Sequence, residues 1–124
     1  MKKRVTSEKE NFLDYIPRRN SCYDYRINER GNVEIIVPNR GFFNRALQIL
    51  MGKPKQTYVE LEEMGSFIWQ TMDGKKSVYD LACLERDRFG ERSEPVYQRL
   101  SAYLKTLREC GYIVYENKIK NLLN

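Results

Sequence analysis

The chain contains no histidine. This removes the side chain most often used for acid–base work near neutral pH and the commonest nitrogen ligand for metals. A Ser-His-Asp or Cys-His arrangement cannot be assembled from it. Cysteine is scarce: Cys22, Cys83 and Cys110 are odd in number, widely spaced and without a CxxC pair. Neither a disulfide framework nor a zinc site is expected, and Cys83 and Cys110 read as small core residues. There is no apolar run near the ~18 residues needed to span a bilayer. The basic N-terminus lacks the apolar segment of a signal peptide, so a cytoplasmic protein is expected. Paired carboxylates such as Glu62 and Glu63, or Glu85 and Asp87, read as charges on solvated helix faces. No catalytic residue, metal ligand or cofactor is expected.

What is present fits one domain of 124 residues, 41% hydrophobic and 31% charged. The net charge of +5 is unevenly spread. Residues 1–20 carry +3, 39–55 carry +4 and 117–124 carry +2, whereas 21–38 carry −1 and 56–116 carry −3. The positive charge sits in the ends and one connector, the reverse of a body built to neutralise phosphates, so nucleic acid is not an expected partner.

Residues 1–11 are polar and read as a flexible tail. Phe12 to Pro17 form a short apolar segment suited to anchoring the arm that precedes the body. Alternation from Tyr23 to Ile27, a Gly31-containing turn and the β-branched run at 33–38 predict a hairpin over about 22–38. Within 39–55, Phe43, Ala46, Leu47 and Leu50 follow helical spacing, with only positive charges around them. This connector helix, about 41–51, reads either as a cover over the sheet or bundle edge or as a surface that docks on a partner; membrane contact is the less favoured variant.

Residues 57–61 alternate as a half-buried strand does, and then Leu61, Met64, Ile68 and Met72 switch to helical period. Gly74 closes that helix. Ser77 and Asp80 form a capping box for a second helix, with Val78, Leu81, Ala82 and Phe89 as its buried stripe and Gly90 as its stop. A third helix starts near Pro95 with that proline in its first turn, buries Val96, Leu100, Tyr103, Leu107 and Cys110, and stops at Gly111. A short strand follows at 112–116, and 117–124 is a tail.

Several of these pieces, in order, resemble the PqqD-like proteins, also called RiPP recognition elements, where RiPPs are ribosomally made and post-translationally modified peptides. The matching residues are the strand Tyr58 to Glu62, then Gly65 to Trp69, Asp73-Gly74, Ser77 to Leu81, Phe89-Gly90, and Leu104 through Gly111 to Ile113. The resemblance covers residues 57–115 strongly. It implies an α+β, winged-helix-like fold over 12–116, with an N-terminal three-stranded antiparallel sheet packed on three helices at 62–110. It further implies a non-enzymatic, peptide-binding chaperone. The leader of a precursor peptide adds to the edge of the third strand, lies against the third helix, and is presented to a modifying enzyme, often a radical SAM protein. The strand candidates are Thr57, Tyr58, Val59, Glu60 and Leu61. On the third helix, Tyr97 and Leu104 offer an apolar wall, Lys105 and Arg108 offer partners for leader carboxylates, and Ser101 lies between them. The alternative reading of each is ordinary core or a solvated helix face. Two other functions remain in view: a winged-helix nucleic-acid binder, although residues 93–110 carry only +1, and a protein–protein adaptor docking through 39–55. An exposed strand edge also leaves self-pairing open.

Overall fold

The computed structural model describes residues 11–38 and 56–117. The expected tail at 1–10 and the connector helix at 41–51 lie outside the described residues, as does 118–124. The architecture is α+β, with a three-stranded antiparallel sheet, a two-stranded sheet and three helices. Contacts divide the chain into two compact units. One holds residues 21–66 and the other residues 1–20 with 67–124.

The first unit is built on the hairpin. Strands β2 (Asp24–Ile27) and β3 (Val33–Pro38) pair antiparallel, with Asp24 opposite Ile36 and Ile27 opposite Val33. Asn28 makes the turn possible: its side-chain oxygen accepts hydrogen bonds from the backbone N–H of Arg30 and of Asn32, at 2.9 and 3.0 Å. Gly31 takes φ +82° there, a conformation that costs glycine nothing. Strand β4 (Gln56–Glu60) adds to the far side of β3, so the order is β2-β3-β4. The expected strand at 57–61 is therefore present one residue earlier. Leu61 still donates its N–H to Val33 O at 2.8 Å but is buried beyond the strand end.

The reciprocal ladder bond at that end is replaced by a side chain. Val33 N–H donates to Ser66 Oγ at 2.9 Å, and the Ser66 hydroxyl donates to Leu61 O at 3.0 Å. Ser66 lies in the first turns of helix α1 (Glu63–Thr71) and is buried. Buried main-chain groups require partners, and this one hydroxyl serves two of them.

The second unit holds α2 (Val78–Phe89), α3 (Val96–Glu109) and the two-stranded sheet of β1 (Pro17–Arg19) with β5 (Ile113–Tyr115). The capping box forms as expected: Ser77 Oγ accepts from Asp80 N and Asp80 accepts from Ser77 N. Helix α3 ends in a Schellman motif. Gly111 at φ +82° lets its N–H reach Arg108 O while Tyr112 N–H reaches Leu107 O. The N-terminal segment anchors as expected, with Phe12 and Tyr15 packed on the Tyr115 ring. Trp69, Met72, Val78, Leu81, Leu100, Leu104 and Ile113 are among the buried residues of this unit.

Five sequence expectations need correction. Strand β1 was not expected; it is recruited by β5, and Arg19 Nη1 donates to Trp69 O and Met72 O at the end of α1. Pro95 is the N-cap of α3 rather than a first-turn residue. The buried stripe of α3 runs through Leu104, with Tyr103 only half-buried. Cys110 is exposed and Cys83 half-buried, so neither is a fully buried core residue. Glu85 is not solvated. It falls four residues after Leu81 on the inner stripe of α2, is only 5% exposed, and burial pushes its carboxyl up while Arg99 partly opposes this.

Replacing Ser66 with Ala leaves the Val33 N–H and Leu61 C=O without that shared partner. A loss of about 1–3 kcal/mol in urea unfolding is expected. An unchanged midpoint would show that the hydroxyl is not what closes the ladder.

Candidate functional site

The register of β3 and β4 determines which main-chain groups face outward. Leu61 and Val33 form a hydrogen-bonded position, and bonded positions in an antiparallel ladder alternate. Val59 opposite Ile35 and Thr57 opposite Val37 are therefore bonded inward as well. The N–H and C=O groups of Tyr58 and Glu60 point away from β3. Among the described residues no further strand pairs with that edge. The edge is thus a row of donors and acceptors set at a fixed two-residue spacing.

Side chains hold this edge in place from one face of the sheet. Arg30 grips Glu60 through two hydrogen bonds, Nε to Oε2 at 2.9 Å and Nη2 to Oε1 at 2.6 Å, and Asn32 Nδ2 donates to Oε2 at 2.9 Å. On the same face, Arg26 Nε donates to Glu34 at 2.7 Å and Asn28 to its other oxygen at 3.0 Å. The Arg26 guanidinium also stands 3.9 Å from the centre of the Tyr58 ring. These partners lower both carboxyls. Hydrogen bonds from Arg30, then Asn32, bring Glu60 down to about 2, and those from Asn28 and Arg26 lower Glu34. Of the five strand residues expected, Tyr58 and Glu60 offer outward main chain, Thr57 and Val59 bond to β3, and Leu61 is buried. The Arg30–Glu60 clamp was missed by sequence reading, although the two residues are exposed polar neighbours only once the hairpin forms.

The other five expected residues lie in the second unit, on α3. Tyr97, Ser101, Lys105 and Arg108 recur at steps of four, four and three and form one outward stripe. Tyr97 is 36% exposed, and the Arg86 guanidinium stands 5.3 Å from its ring centre while also bonding Glu94 at 2.7 Å. Lys105 and Arg108 are exposed. Leu104 is 0% exposed, so it sits in the core stripe behind this face rather than on it.

No helix among the described residues is long and apolar enough to cross a membrane, and no cluster of three or more potential metal ligands occurs among them. The family model described as coenzyme PQQ synthesis protein D (PqqD) matches residues 48–113. The chain belongs to the PqqD family. Comparison with curated proteins and with solved structures gave no match. The matched region takes in β4 and all three helices and stops at the first residue of β5, leaving the β2–β3 hairpin and β1 outside it.

Glu60 and Glu34 are more acidic in the fold than an ordinary glutamate at 4.5, so their contribution to stability is complete above about pH 4.5. For Glu60 it is lost as the pH falls from about 4.5 towards about 2. Glu60→Gln should flatten that part of the stability–pH profile in chemical denaturation while shifting it little when Arg30 is already replaced. An unaltered acid limb would disprove the clamp.

Proposed function

We propose that this PqqD-family chain is a non-enzymatic peptide-binding module that captures the leader of a ribosomally made precursor and presents it to a modifying enzyme, such as a radical SAM protein. The observation that carries this reading is the edge of β4. Main-chain groups of Tyr58 and Glu60 are directed outward, the strand is short, and its register is locked by Ser66 and by the Arg30–Glu60 pair. An extended peptide gains hydrogen bonds there without any requirement on its side chains. Family membership supports a role in biosynthesis as the partner of a peptide.

Selectivity then rests on side chains. Tyr97, Ser101, Lys105 and Arg108 are the α3 residues we assign to it, with the two cations suited to leader carboxylates. Leu104 serves by keeping α3 packed. The nucleic-acid alternative is less well supported, because Arg99 is spent on the carbonyl of Arg92, at 2.7 Å, leaving few cations on that helix. The adaptor alternative falls on residues 39–55, outside the described residues.

Amide hydrogen exchange tests the edge residue by residue. In the free protein, Val59 and Leu61 amides should exchange slowly and those of Tyr58 and Glu60 quickly. Adding an acidic leader peptide that binds the chain should slow Tyr58 and Glu60. Binding that leaves both amides fast would sink strand addition at β4. Separately, exchanging Lys105 and Arg108 for Glu should weaken an acidic leader by roughly tenfold or more while the helix signal in circular dichroism is kept. Equal affinity would remove these two residues from the site.

A further inference from the structure

The second unit carries an aromatic patch across α2 and α3. On α2, Tyr79, Cys83 and Arg86 follow at steps of four and three and share one stripe. Val78 points into the core, and the ring of Tyr79 beside it is left 50% exposed. The half-buried Cys83 thiol hydrogen-bonds the Tyr79 phenol and pushes its pKa up, and the Tyr97 phenol of α3 is near enough to add to this. Tyr97 is itself 36% exposed.

Tyr97 is held in place by an anchored cation. The Arg86 guanidinium stands 5.3 Å from its ring centre. Glu94 fixes that guanidinium, accepting from Nε at 2.7 Å and from Nη2 at 3.4 Å. Glu94 also accepts the Val96 N–H at 3.2 Å, at the start of α3. Cys83 lies between Tyr79 and Arg86 on α2, so its thiol sits beside both rings. Two large rings with a small polarisable group between them are apolar surface left outside the core.

We propose that Tyr79, Cys83 and Tyr97 form a subsite for one aromatic side chain of the bound peptide, about four to five residues along it from the carboxylates that Lys105 and Arg108 hold. The assignment rests on the peptide-binding reading and adds α2 to it. Charge selects the occupant. Beside the two tyrosines the charges are already matched, Arg86 by Glu94 and Asp80 by the Ser77 N–H. At the other end of the α3 stripe, Lys105 and Arg108 are exposed and have no ion pair among the described residues. One end therefore suits an apolar group and the other suits carboxylates. A flat ring is the better apolar group, because ring pairs gain energy beyond their buried area. Distance sets the spacing. Helical rise puts Lys105 and Arg108 about 12 and 16 Å along the axis from Tyr97. An extended chain covers about 3.3 Å per residue, which gives about four residues to Lys105 and five to Arg108.

Fluorescence anisotropy of the full chain with dye-labelled synthetic peptides tests this. Each peptide carries an adjacent pair of glutamates in a Ser/Thr/Val background. Two of them place Phe five residues before or after the pair, because the stripe fixes distance and not direction. Controls carry Ala at those positions, or Phe only two residues from the pair. One of the two distant-Phe peptides should bind roughly tenfold more tightly than its Ala control, and Phe at two residues should add nothing. Tyr79→Ala should abolish the gain and leave the Ala peptide unaffected, whereas Tyr79→Phe should keep it, with circular dichroism unchanged in both. In the unaltered chain, iodoacetamide labelling with peptide mapping reads Cys83 separately from Cys22 and Cys110. The tighter peptide should slow Cys83 labelling several-fold, and its Ala control should not. Equal affinity of Phe and Ala peptides, a gain that survives Tyr79→Ala, or Cys83 labelled at an unaltered rate would each overturn the subsite. If those peptides still slow the Tyr58 and Glu60 amides, only the subsite falls. If no peptide binds and both amides stay fast, the peptide reading falls with it.

Discussion

One hydroxyl fixes the relation between β3 and β4. Ser66 accepts from Val33 N–H and donates to Leu61 C=O, standing in for a ladder bond at the point where the chain leaves the strand for α1. Side-chain period in a strand is two, so a slip of one residue would turn every group of β4 to the opposite face and exchange inward for outward main chain. With the hydroxyl in place, Val59 and Thr57 are committed to β3, and Tyr58 and Glu60 are committed to the edge. The character of that edge is therefore decided by a residue that is not on it.

The polar face of the sheet enforces the same register by other means. Arg26, Glu34 and Glu60 occupy one row across the three strands, and Arg30, Asn28 and Asn32 supply donors from the hairpin turn. A carboxylate held by three donors in this way is not available as a free charge for a ligand. Its effect is to tie β4, which pairs with only one strand among the described residues, to the hairpin turn. The aromatic ring of Tyr58 is similarly occupied by Arg26. Exposed pairs of this kind are individually weak, and it is their being linked through one turn that gives them weight.

The helices and their ends were legible in the sequence because their signals are local. Ser77 with Asp80, the stops at Gly74, Gly90 and Gly111, and the hairpin turn all depend on residues a few positions apart. The three-stranded sheet was legible through alternation and β-branching. What escaped is what only tertiary contact creates. Strand β1 is Pro17, Arg18 and Arg19, with no apolar alternation, and exists because β5 supplies its partner. The stripe of α3 was read through Tyr103 when Leu104 lies at the inner position, since neighbours in a helix differ by 100° and either continues a three-four pattern. Glu85 carries a charge type that normally marks a surface, yet its spacing from Leu81 and Phe89 takes it inward.

Of the ten candidate site residues, Thr57 to Leu61 were expected on a strand from alternation, and the strand runs one residue earlier, over Gln56–Glu60. Alternation identifies a strand and cannot say which of its amides is already bonded, because that depends on the partner's register. Once the bond from Leu61 to Val33 is known, parity assigns every other group on both β4 and, through Asn28, on β2. Recognition through main chain is tolerant of sequence, so a module using it must place discrimination elsewhere. The edge side chains Tyr58 and Glu60 are already engaged within the sheet. Under the proposed function, discrimination falls to side chains without such engagement; Lys105 and Arg108 are exposed on α3 with no ion pair among the described residues, whereas Arg26 and Arg30 hold Glu34 and Glu60.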